Sequence, residues 1–97
     1  MLKTISEIEI TPVKPNKGLV AFSSFVLFDS IFCSSVAIMT RPDGGYRLCF
    51  PTKKVSMHDV GIFYPISKQV GLIIKEKVIE KYEEVINQHD RYGNTKN

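Results

Sequence analysis

The chain has 97 residues, 43% hydrophobic and 24% charged, values that fit one globular domain. Its net charge of +3, from 13 basic and 10 acidic side chains, permits a polyanionic partner without demanding one. Two cysteines, Cys33 and Cys49, are too few to staple so small a domain, so association into a dimer is a natural way to bury more surface.

In chain order, Ile5 to Val13 alternates in part, with Ile8, Ile10 and Pro12 on one parity and Glu7, Glu9 and Thr11 on the other. This predicts a half-buried strand. Pro12 and Pro15 mark an edge or a strand end, and Lys14 to Gly18 reads as a basic turn. Leu19 to Asp29 is the first long strand, apolar on both parities, so a helix on one face and a second subunit on the other are both expected. Asp29-Ser30 is a tight turn, and Ile31 to Thr40 is a third strand. Asp43-Gly44, between two apolar runs, predicts a hairpin that returns through Tyr46 to Phe50. Pro51 to Gly61 reads as polar and irregular, and Ile62-Phe63-Tyr64 as a short fifth strand or an extended lead.

The clearest period comes last. Val70, Ile74, Val78, Tyr82 and Val85 share one face of a helix that opens at Ser67, its predicted N-cap, and runs to about Asn87. At 1.5 Å per residue this rod is roughly 30 Å long, and it needs a surface to lie on. Lys75, Glu76, Glu80, Glu83 and Glu84 project elsewhere and can face water. Residues 89–97 carry no apolar period and are expected to form a mobile tail. The expected fold is α+β: a four- to five-stranded, mostly antiparallel sheet with one amphipathic helix packed on it, in a single domain spanning 1–88.

No long apolar stretch follows Met1, and the run from Leu19 to Phe28 is too short for a membrane helix. The expectation is a cytoplasmic protein with no membrane partner. Catalysis has little to rest on. His58 and Asp59 are adjacent, yet sequence neighbours seldom face each other, and no nucleophile is marked. Neither cysteine belongs to a Cys-x-x-Cys pair or stands near a histidine, so both read as buried hydrophobes, with no metal expected. No phosphate-binding glycine pattern is present, and no cofactor or small-molecule substrate is expected. The basic residues are more informative. Lys53 and Lys54 follow the fourth strand, and Lys68 lies in the first helical turn beside unpaired N–H groups. Arg41 and Arg47 flank the hairpin, where Tyr46 offers a ring to a base. Ordinary surface lysines and hairpin charges are the competing account.

Phe50-Pro51-Thr52-Lys53-Lys54, then Tyr64-Pro65-Ile66-Ser67, then the helical Val78-Ile79-Glu80-Lys81-Tyr82 form an ordered set that resembles the stage V sporulation protein G family. The family pattern is methionine-proline-serine-lysine-arginine, a polar loop, histidine-proline-isoleucine-asparagine, and a helix with valine-leucine-x-x-tyrosine. The resemblance covers about residues 5 to 87. It implies a homodimeric bacterial regulator, linked to septation and sporulation, that binds DNA and RNA through basic residues after the fourth strand and at the helix start. Lys53 and Lys54 match the first group. At the second, Val70-Gly71 stands where the family has threonine-arginine, with Lys68 three residues earlier than the glycine. Tyr64 replaces the family histidine, and Ser34-Ser35 a histidine-aspartate pair, as in a divergent member. The alternative expectation is an interaction module of the same fold, without nucleic-acid affinity, that uses an apolar sheet face or a strand edge.

Overall fold

The computed structural model describes the backbone of residues 2–95, and side chains through residue 88. Four strands, β1 (Ile5–Asn16), β2 (Leu19–Leu27), β3 (Ile31–Thr40) and β4 (Tyr46–Cys49), form an antiparallel meander in the order β1-β2-β3-β4. A separate two-stranded ribbon follows, β5 (Thr52–Val55) and β6 (His58–Gly61), and then the helix α1 (Lys68–Thr95). The fold is therefore α+β, with one long helix packed on the main sheet.

The turns show why the chain reverses where it does. Asn16 pairs with Leu19, and both residues between them have positive φ, Lys17 at 53° and Gly18 at 93°. That backbone matches the twist of the flanking strands. The Thr40 N–H donates to the Gly18 carbonyl (2.8 Å), which ties this turn to the end of β3. The predicted Asp-Gly reversal is present: Gly44 and Gly45 have φ of 96° and 78°, and the Arg41 N–H and carbonyl bond to Gly45 and Gly44. Between β2 and β3 the turn is costlier, because Phe28 and Asp29 both sit at φ 52°, a region bulky side chains rarely enter.

One face of the sheet carries the core. Ala21, Phe25, Cys33, Val36 and Ile38 from the strands meet Ile74, Val78 and Tyr82 from the helix, and all eight are buried. Two β-bulges keep the correct side chains on this face. β1 places Glu7 and Ile8 against Phe25, and β3 places Ser34 and Ser35 against Ser24. Glu7 (φ 50°) and Ser35 (φ 63°) take up the extra residue. Ile5 and Ile8, like Cys33 and Val36, thus reach the core at a spacing of three. The one buried polar side chain among the described residues, Ser23, donates its hydroxyl to the Val36 carbonyl (3.0 Å).

The helix follows its predicted stripe, with one change. Val70, Ile74, Val78 and Tyr82 pack inward, and the next contact is Ile86 rather than Val85, so the spacing stays at four. The helix continues past Asn87 to Thr95. The side chains of 89–95, and residues 96–97, where the mobile tail was expected, lie outside the described residues. Ser67 is the N-cap, its Oγ accepting from the Val70 N–H (3.2 Å).

Other expectations are corrected. β1 runs through Pro15 to Asn16, and β2 stops at Leu27 before the turn. The segment Pro51 to Gly61 is not irregular: it forms the ribbon, closed by Ser56 (φ 59°) at the first turn position. Ile62-Phe63-Tyr64 is no strand, and its Ile62 N–H bonds to the Pro51 carbonyl (2.9 Å) to close the ribbon base. The helix covers one sheet face; on the other, Phe22 stays partly exposed.

Two outcomes follow from the cap and the core. Ser67→Ala should lower unfolding free energy by about 1 kcal/mol in urea titrations, since one first-turn N–H loses its acceptor. Burial pushes the Cys33 thiol up from its ordinary value, whereas Cys49 is only partly buried. Thiol-specific labelling of the native protein at neutral pH should modify Cys49 first, with Cys33 reacting only on unfolding.

Candidate functional site

Every residue of the ribbon strands is exposed. Lys53 pairs with Val60, Lys54 with Asp59 and Val55 with His58. Successive residues in a strand point to opposite faces, so Lys53, Val55, His58 and Val60 share one face while Thr52, Lys54, Asp59 and Gly61 share the other. The two lysines adjacent in sequence therefore project from opposite sides of the ribbon. Lys54 has a carboxylate as its cross-strand neighbour. His58 and Asp59 are separated in the same way, which removes the geometry of a base and its orienter.

The ribbon is seated at its base by aromatic contact. A Cβ at Gly61 would lie 2.6 Å from Cε1 of Tyr64, so only glycine lets that ring close over the strand end. Phe50 and Phe63, on either side of the ribbon, meet edge to face at 5.9 Å.

The remaining predicted residues are dispersed. Arg41 and Tyr46 bracket the β3–β4 reversal, at the opposite end of β4 from the ribbon. Arg41 pairs with Asp43 (3.3 Å), an exposed contact of small energetic weight. Tyr46 is on the core side, its ring edge-on to Tyr82 at 5.2 Å. Burial first, and the neighbouring Tyr46 second, push the Tyr82 phenol up. Arg47 points to the uncovered sheet face, where its Nη1 donates to Cys49 Sγ (2.8 Å). Lys68 opens the helix directly after the capping serine. Gly71, the departure from the family pattern, lies against the Pro65 ring, at 3.5 Å from an added Cβ.

Ser34 and Ser35 form the β3 bulge and, with Ser24 and Thr11, line a small hydroxyl-rich depression. Among the described residues, no group of three His, Cys, Asp or Glu side chains converges to hold a metal, and no helix is long and apolar enough to cross a membrane.

A further feature is an open apolar groove of about 470 Å³ between the β2–β3 turn and the segment leading into the helix. Phe28, Ile31 and Phe32 form one wall and Phe63, Tyr64 and Ile66 the other, with Ile74 and Val70 toward the helix. No Asp, Glu, Lys or Arg lines it. The sequence reading passed over this groove. Its only signal was a run of large apolar residues, Ile62 to Ile66, in a stretch with neither strand nor helix period. No protein-family model matches this chain, and no curated protein matches its sequence.

Proposed function

We propose that this protein is a non-enzymatic, cytoplasmic regulator of the stage V sporulation protein G type, a homodimer that binds DNA or RNA and serves septation and sporulation control. The observation that carries the reading is the ribbon: two antiparallel strands, exposed throughout, with Lys53 on one face and Lys54 on the other. The major groove of DNA admits a two-stranded β-ribbon, and lysines on both faces place cations toward both flanking phosphate backbones. Lys68, at the helix start, supplies a third cation beside the Lys68 and Gln69 N–H groups. Arg41, Arg47 and Tyr46 are secondary, given their ion pair, thiol contact and core packing. Binding would be mainly electrostatic positioning on phosphates, with limited reading of bases. The apolar groove favours a second reading, an interaction module of the same fold that has lost nucleic-acid affinity.

Titration with random-sequence DNA and RNA pools over a salt series separates the two. The first reading predicts affinity that falls steeply with salt. In Lys53→Ala/Lys54→Ala, binding weakens and the slope of log K against log salt on duplex DNA flattens by about 1.8, roughly 0.9 for each lost phosphate contact. Absence of binding by the folded protein at low salt, or an unchanged slope in the double variant, contradicts it and favours the interaction module.

A further inference from the structure

The sheet has a notch in its edge. β3 runs from Ile31 to Thr40, but β4 pairs only with Ala37 to Thr40. β4 stops at Cys49, and Pro51, which has no N–H to offer a neighbouring strand, leads the chain away into the ribbon. Among the described residues no strand lies beside Ile31 to Val36 on that side. An edge of this kind presents unpaired N–H and C=O groups, a template for another strand.

The opposite edge of the sheet is blunted. The free side of β1 carries Pro12 and Pro15 and is bent by the bulge at Glu7, devices that keep strands from adding. Ile31, Phe32, Cys33 and Ser34 carry neither charge nor proline. The bulge at Ser34 and Ser35 ends the straight stretch, so the notch holds about 3–4 residues, the short end of the usual strand range.

The apolar groove opens beside this notch. Ile31, Phe32 and Cys33 line it, with Phe50 at the end of the β4 line and Ile66 on the far wall, 94% exposed. A strand added here continues the line of β4. Its side chains alternate, one set entering the groove and the other pointing to the uncovered sheet face. With no Asp, Glu, Lys or Arg in the lining, the groove suits large apolar side chains and penalises charged ones. Area narrows the occupant further. At roughly 150–200 Å² for a fully exposed large apolar side chain, the five exposed around the groove leave on the order of 500 Å². Each partner in a stable protein interface buries about 800 Å², so the groove is too small for a docked domain and matches a short segment.

We infer that notch and groove together bind an extended, uncharged segment of another protein, which adds to the open edge of β3 and seats alternate large apolar side chains in the groove. Backbone hydrogen bonds supply affinity and the groove selects the side chains. This gives the interaction reading above a surface and a class of partner, and it does not depend on whether the ribbon binds nucleic acid.

Panning a phage-displayed library of random 12-residue peptides on the nucleic-acid-free protein tests it, with enriched peptides then titrated by fluorescence anisotropy. Enriched sequences should carry large apolar residues at every second position, without charge among them. N-methylation of one alternate set of peptide amides should abolish binding, while the intervening set tolerates it, because only every second residue of an added strand bonds to its host. Ile66→Glu should weaken binding at least about tenfold, and Leu72→Glu, on the exposed side of the helix, should leave it within about twofold. Ile66 lies outside the core, so its variant keeps the fold, which circular dichroism confirms. Failure to enrich any peptide overturns the inference, as do apolar residues at helical spacing or indifference to N-methylation. Peptides that ignore Ile66→Glu leave an interaction module whose surface is elsewhere, and overturn this site. Amide exchange at Ile31 to Ser34 that slows with protein concentration and not with peptide gives the edge to a second copy, and also overturns it.

Discussion

The structure depends on one packing contact, the stripe Ile74-Val78-Tyr82 of the helix lying on the sheet around Phe25. Neither partner is stable alone: a single amphipathic helix is marginal in water, and a four-stranded meander with one bare apolar face would aggregate. The contact also sets the geometry of everything else. The helix must arrive over Phe25 from the end of the ribbon. The segment Ile62 to Ser67 therefore runs across the end of the sheet and opens the groove between itself and the β2–β3 turn. Pro65 and the Ser67 cap fix that approach, and Gly61 lets Tyr64 close on the ribbon base.

Much of this was legible in the residues. The spacing of four from Val70 to Tyr82 identified the buried helix face, and Asp43-Gly44 identified the hairpin. Two features were hidden by their physics. The bulges opposite Phe25 and Ser24 change the strand period from two to three, so Ile5 with Ile8 and Cys33 with Val36 do not look like partners on one face. The ribbon carries no apolar alternation, because Lys53-Lys54 and His58-Asp59 occupy both of its faces, and Ser56-Met57 is not a recognised hairpin turn. Of the candidate site residues, Lys53 and Lys54 were read as a pair, which holds for an irregular loop. In a strand, neighbours diverge, and only the pairing of β5 with β6 reveals it.

The ribbon thereby becomes the element on which the functional account turns. It is the least supported part of the chain by its own subunit, and it carries opposed demands: lysines that suit phosphates, and Val55, Met57 and Val60 that suit an apolar surface. The homodimer proposed above would place two copies of each lysine on one particle, where salt-dependent contacts add along a polyanion.

The most direct measurement is amide hydrogen exchange of residues 52–61, followed with and without duplex DNA or RNA. If the ribbon is the nucleic-acid surface, its protection rises on adding nucleic acid, while the core amides of Phe25 and Val78 stay slow throughout. Ribbon amides that exchange at one rate with and without nucleic acid would contradict the account.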